Sequence, residues 1–342
     1  EIGSPMNGCS MQENRQEPLG TESSPGPTSG GGPAEAREPA ARPGLKSRLI
    51  GLAPKALVRL FARPYIAGET RREAIELVHA LYRRKQLHST LDVLGEALRD
   101  PSESEAALKE YKEIIDDLGD CPYANISIKL SALGQAFDEE LCARNLEVLL
   151  RHAQRVGQFV RFDMEDHTTT DSTLRLYRRM VDCFPRIGPV LQARLHRTPR
   201  DIEDLAALKP NVRLCLGIYR EPQEIALQDK QAIKERLLEL LRMLWSNGQY
   251  VAVATHDESV IARALQLAGQ MGKTSRDFEV QMLLGVPRER IQRDLIAQGI
   301  KVRLYVPYGR HWYQYCLRRL ENNPEMARMV LVNLLRRGFR GF

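Results

Sequence analysis

The stretch KVRLYVPYGRHWYQYCLRRLENNP, residues 301–324, changes its period part-way along. Val302, Leu304 and Val306 alternate as a strand requires, Pro307 and Gly309 mark a turn, and a helical pattern then runs unbroken to Pro324. The unit is therefore a strand that feeds a helix. Two adjacent arginines, Arg318 and Arg319, stand about two to three turns into that helix. Paired guanidinium groups offer planar forks of donors suited to a carboxylate. Equally, basic residues near a helix C-terminus favour the macrodipole and lie in water. Spacing alone allows both.

Working outward, the same alternation returns along the chain. Short apolar runs fall near 90–94, 125–130, 159–164, 190–195, 212–216, 250–254, 278–282 and 301–306. Helical periods separate or precede them, as at 71–85, 103–118, 139–156, 173–183, 199–208, 230–247 and 260–271. Eight strand–helix units imply a (β/α)8 barrel or a large doubly wound sheet, and eight in about 250 residues favour the barrel. No Gly-x-Gly-x-x-Gly opens a helix, which leaves a dinucleotide-binding Rossmann site unsupported.

The 342 residues are 43% hydrophobic, ample for a large core. No apolar run nears the ~18 residues of a membrane span, and the N-terminus lacks a signal-peptide core. Residues 1–5, EIGSP, read as a cloning remnant ahead of a natural start at Met6. Residues 1–44 are rich in Gly, Pro, Ser and Glu and are expected to be a disordered tail, with the barrel occupying 45–342. The basic amphipathic stretch 45–66 suits short helices that pack on the body, or a membrane surface or partner. Six scattered cysteines lack C-x-x-C spacing, which fits a reducing, cytoplasmic setting. The net charge of +6 is spread over helices mixed with Glu and Asp, unlike the one-sided patch of a nucleic-acid binder. Asn125-Ile126-Ser127 matches a glycosylation acceptor but lies in an apparent buried strand.

A parallel barrel does its chemistry where strands end in the C-terminal direction. Lys129 ends the second strand; Asp163, Glu165, Asp166 and His167 follow the third; Gln192, Arg194 and His196 close the fourth. Arg213 and Tyr219 flank the fifth, Thr255, His256 and Asp257 end the sixth, Gln281 is on the seventh, and Tyr305 is on the eighth. Singly, Lys129 could snorkel and His256 could cap the next helix. Together the cations Lys129, Arg213, Arg318 and Arg319 suit a small anion and an electron-rich partner, with Asp163 pairing one of them. The run Asp163–His167 invites a metal reading, but neighbours on a strand face opposite ways and no second histidine has the usual spacing. No metal is expected.

The strings ISIKLSALG (126–134), VRFDMEDHTTTDSTLRLYR (160–178), LQARLHRT (191–198), RLCLGIYRE (213–221), VAVATHDE (251–258) and VRLYVPYGRHWYQYCLRRLENNP (302–324) resemble, in order, the motifs of the proline dehydrogenase family, in particular its monofunctional bacterial members. The resemblance spans about 63–338. It implies a distorted (β/α)8 barrel that holds FAD over the strand ends and oxidises L-proline to 1-pyrroline-5-carboxylate. It further implies that Lys129, Arg318 and Arg319 pair the substrate carboxylate, that Tyr219, Tyr305 and Leu283 wall the ring, and that Asp163 and Arg213 lie at the reacting centre. Met164, Gln192, Arg213, Gly217, Ile218, Thr255 and His256 would meet the cofactor. Electrons would pass to a quinone, reached from the cytoplasm by peripheral contact with the inner membrane.

The chain departs from the family pattern at three positions. Leu216 stands where a basic residue is usual, Ile218 where a small alanine is, and Asn322 where a Glu is, with Glu321 one place earlier. Leu216 would weaken flavin retention, and Ile218 would add bulk beside Tyr219. Two other readings therefore stand beside the first: a homologue acting on another cyclic amino acid, and a flavin-poor binding protein.

Overall fold

The structure is a computed structural model. It describes residues 64–95, 98, 100–313, 315 and 316. The expected tail, most of the 45–66 stretch, Arg318, Arg319 and Asn322 lie outside the described residues.

Eight parallel strands close on themselves in sequence order, with β1 paired to both β2 and β8. They are β1 (His88–Val93), β2 (Ala124–Ile128), β3 (Val160–Phe162), β4 (Ile187–Gln192), β5 (Val212–Cys215), β6 (Val251–Ala254), β7 (Phe278–Leu283) and β8 (Val302–Tyr308). Helix α1 (Arg71–Lys85) precedes β1. The crossovers are α2 (Glu103–Leu118), α3 (Glu139–Arg155), α4 (His167–Val181), α5 (Thr198–Leu205), α6 (Lys230–Ser246), α7 (Glu258–Gln270) and α8 (Glu289–Ala297). Each apolar run of the sequence is one strand, as the expected barrel requires.

Local chemistry sets the boundaries. Thr70 and Glu73 form a reciprocal capping box at the start of α1. The helix expected from 173 begins instead at His167, because Asp166 caps it by accepting from Thr168 N. At α7 the cap is Asp257, which accepts from Ser259 N and Val260 N, so His256 is not the cap. Pro307 does not turn the chain: β8 runs through it to Tyr308, with Pro307 in register with Asp92. The turn waits for Gly309, whose φ of +131° suits glycine.

Leucine, isoleucine and valine on the outer faces of the strands pack with the helices into one continuous core. Inside, the barrel is polar. Glu279 on β7 accepts from Arg303 Nε on β8 at 2.8 Å and from Tyr250 Oη at 3.2 Å. Arg161 on β3 donates to the carbonyls of Pro189 and Asn211 and, at 2.6 Å, to Asn211 Oδ1. Gly188 on β4 leaves room for that guanidinium: a Cβ there would lie 2.5 Å from Arg161 Nη1. Asn125 is buried and accepts from Thr90 Oγ1 at 2.6 Å, so the apparent glycosylation triplet is interior.

Candidate active site

The polar column continues upward to the C-terminal mouth. Because the side-chain period of a strand is two, Ser127 and Lys129 on β2 and its exit share the inner face, as do Arg161 and Asp163 on β3 and its exit. Asp163 accepts from Arg213 Nη1 at 2.8 Å, from Tyr305 Oη at 2.8 Å, and from Ser127 Oγ. Arg213 also donates from Nη1 to Ser127 Oγ at 3.2 Å and from Nε to Gln281 Oε1 at 2.7 Å, and its guanidinium lies 5.2 Å from the centre of the Tyr305 ring. Lys129 Nζ is hydrogen-bonded to Asp92 Oδ1, lies 3.4 Å from Tyr305 Oη, and pairs with Asp163 Oδ2 at 3.6 Å. Two carboxylates thus meet two cations in one cluster, with a tyrosine hydroxyl between them.

Electrostatics follow from burial and pairing. Burial opposes the Asp163 charge, but Arg213 and Lys129 overturn it and hold that carboxyl below the usual carboxylate range. Burial likewise opposes the Lys129 ammonium, and Asp92 outweighs it, so the lysine stays charged well above its ordinary range. In Asp92 the balance goes the other way: burial pushes the carboxyl up despite Lys129. Burial also raises the hydroxyls of Tyr305 and Tyr219, and the carboxyl of Glu165.

Around the cluster the rim is built by side chains that pin loops. Glu165 accepts from Ser131 Oγ at 2.9 Å. Gln192 donates from Nε2 to Glu165 O at 2.7 Å. Arg194 donates to Tyr219 O and holds the β5–α6 loop, which His196 Nε2 also meets at Gln223 O, 2.9 Å away. Gly217, at φ +97°, packs so tightly that a Cβ would lie 2.6 Å from Arg194 Cδ and 2.8 Å from Gln192 Oε1. Thr255 is buried and takes Asp257 N on its hydroxyl at 3.2 Å. His256 Nε2 accepts from Leu283 N at 3.2 Å, a role that puts the proton of a neutral ring on Nδ1. Leu283 is in register with Tyr305.

The structure therefore brings Lys129, Asp163, Arg213 and Tyr305 together, with Gln192, Gly217, Thr255, His256, Leu283 and Tyr219 at the strand exits around them. Met164 is buried in the apolar core. Ile218 is 69% exposed at the rim, in the loop that follows β5. Leu216 is half-buried and packs on the core. The Asp163–His167 run is dispersed: Asp163 joins the cluster, Glu165 meets Ser131, Asp166 caps α4, and His167 pairs with the buried Glu221. Two central members escaped the sequence reading, Asp92 and Ser127. Both sit inside strands, and the available signal was their period-two spacing from Thr90 and from Lys129.

Residues 74–330 match the family model described as proline dehydrogenase. Proline dehydrogenase 1 of Bacillus subtilis (strain 168) is 36% identical over 280 residues, covering 82% of this chain and 92% of that protein. The proline dehydrogenase of Deinococcus radiodurans is 37% identical over 285 residues, covering 80% and 90%. Among solved structures, proline utilization A from Bdellovibrio bacteriovorus, inactivated by N-propargylglycine, superposes with a TM-score of 0.73 at 23% identity. It covers 81% of this chain and 34% of that one, so the likeness is of fold and this chain spans about a third of that protein. An eight-stranded barrel with a charged cluster at its mouth, a family model over most of the length, and near-full-length relatives at over a third identity lead to one assignment: the chain belongs to the proline dehydrogenase family.

Proposed function

We propose that the chain oxidises L-proline to 1-pyrroline-5-carboxylate, the first step of proline catabolism, and that FAD is the oxidant seated at the barrel mouth. The observation that carries this reading is the neutral cluster of Lys129, Arg213, Asp92 and Asp163 at the strand exits. Rim chemistry fits a flavin. Gln192 Oε1 and Arg213 Nη2 are buried polar atoms without a protein partner among the described residues, one an acceptor and one a donor. Such atoms suit a flat ring system edged with N–H and carbonyl groups. Gln192, Arg213, Gly217, Ile218, Thr255, His256 and Met164 are the residues proposed to hold it.

FAD, when bound, supplies a hydride acceptor for the ring carbon next to the proline nitrogen. The protein's part is to bind and orient. Lys129, Arg318 and Arg319 hold the carboxylate, and Tyr219, Tyr305 and Leu283 wall the pyrrolidine ring. Fixing one end of so small a substrate fixes the other, which is the proximity effect. Cations near the amine favour its neutral form, the form that can lose hydride. Arg213 and Asp163 keep fixed charge beside the reacting centre and need no reorganisation as charge shifts.

Residues 45–342 would form this catalytic unit, with 1–44 as a tail. Electrons would pass on to a quinone. Contact with a membrane quinone would be peripheral and from the cytoplasmic side; among the described residues no helix is long and apolar enough to cross a membrane. An absorption spectrum of the purified protein with and without L-proline tests the whole reading. Flavin bands bleached by proline are expected. Flavin unbleached by proline would point to another cyclic amino acid, and a colourless protein that FAD does not restore would point to a binding protein. Retention is expected to be weaker than in relatives with a basic residue at position 216.

A further inference from the structure

The Lys129 side chain is 30% exposed at the mouth, whereas the carboxylate that holds it, Asp92, is 1% exposed and lies one strand away on β1. Asp92 is in register with Ser127, two residues before Lys129, so the lysine is anchored from the layer beneath it. The other nearby carboxylate, Asp163, already accepts from Arg213, Tyr305 and Ser127 and stands 3.6 Å from Nζ. A lysine ammonium has three donors. Asp92 takes one at close range, whereas Tyr305 Oη at 3.4 Å and Asp163 Oδ2 at 3.6 Å are engaged only loosely, which leaves donor capacity for a ligand at the mouth.

We propose that Asp92 is a positioning residue of the proline site: its buried carboxylate fixes the Lys129 ammonium so that the remaining donor meets the substrate carboxylate. The inference rests on the assignment of Lys129 to carboxylate binding. Its physical basis is the lysine's flexible four-carbon stem, which holds one geometry only when anchored. Without Asp92 the ammonium can close its 3.6 Å gap to Asp163 and compete with Tyr305 and Arg213 for the same carboxylate.

The test uses the FAD-loaded full chain and steady-state kinetics with proline. Lys129→Met, Asp92→Asn, Asp92→Ala and the double variant Asp92→Ala/Lys129→Met are compared. Flavin content and the visible spectrum report whether each cup is intact. Asp92→Ala is expected to raise KM about tenfold with kcat changed less than about threefold, a split expected when binding is lost uniformly. Asp92→Asn keeps an oxygen that accepts from Nζ, and KM should rise only about threefold. In the double variant, KM should match that of Lys129→Met alone, because removing the lysine removes what Asp92 positions. A cyclic five-membered carboxylate that cannot be oxidised should lose affinity in parallel. An unchanged KM in Asp92→Asn and Asp92→Ala, or an Asp92 effect that persists in full without Lys129, overturns the inference. Should Asp92→Ala not fold, Asp92→Asn with a wild-type KM overturns it just as well. If Lys129→Met itself leaves KM unchanged, the assignment of Lys129 fails instead, and the inference falls with it.

Discussion

Asp163, at the exit of β3, and Arg213, on β5, meet across the barrel mouth at 2.8 Å. Neither is sequence neighbour to the other; the closed sheet alone brings them together. Breaking a buried pair from one side leaves the other charge uncompensated. Asp163→Ala should therefore cost about 3 kcal/mol in denaturant unfolding and lower kcat/KM for proline roughly a hundredfold or more. Asp163→Asn should recover part of the stability but little of the rate. A variant with wild-type turnover would remove Asp163 from the reacting centre.

Glu279 predicts how stability responds to acid. Burial opposes its charge, but Arg303 overcomes this and lowers the carboxyl to about 2 from the ordinary value of 4.5. A depressed folded pKa means that the unfolded chain binds the proton first as pH falls. The stabilisation is thus fully present above about pH 4.5 and is lost progressively towards pH 2, on the order of 3 kcal/mol in all. Urea unfolding at stepped pH should show that loss, and Glu279→Gln should flatten it while lowering stability at pH 7.

Gly188 makes space for the Arg161 guanidinium inside the barrel. Gly188→Ala inserts a methyl group 2.5 Å from Nη1, and overpacking of this kind costs about 1–3 kcal/mol. The midpoint of chemical denaturation should shift accordingly, with an unchanged m-value. The added Cβ would come closer still to the backbone oxygen of Asn211, so a neutral result would show that both the Arg161 side chain and that backbone can shift.

Gly217 gives a test at the rim. Its φ of +97° and its closeness to Arg194 and Gln192 leave no place for a Cβ. Gly217→Ala should displace Gln192 and reduce the flavin-to-protein absorbance ratio several-fold, while the far-ultraviolet circular dichroism stays that of the wild type.

Ile218 is expected to matter little for the fold or for proline, whatever it adds to the hold on the flavin. At 69% exposure, Ile218→Ala should change stability by less than about 0.5 kcal/mol and leave KM for proline within twofold. A large change in KM would return the side chain to the substrate pocket.

Much of this molecule was legible before folding was considered. Eight apolar runs became eight strands because a parallel strand covered on both faces must be nearly continuous in buried residues. Lys129, Asp163, Arg213 and Tyr305 were found because polar residues at strand exits are costly unless they are gathered for a purpose. Pro307 misled because proline usually ends a strand, yet here it continues β8 in register with Asp92. His256 was open to a capping role, but the carboxylate of Asp257, one residue on, is the better acceptor for the backbone N–H groups.

What the amino-acid order determined by itself was local: period, caps, turns and the list of polar groups that would end near one rim. Partnership was left to the tertiary structure. Which carboxylate holds Lys129, that Arg213 reaches both Asp163 and Gln281, and that Ile218 faces water all depend on how a closed sheet staggers strands far apart in the chain. The reason is geometric. A strand's pattern tells which face a side chain takes, but only ring closure sets the height at which residues from different strands meet.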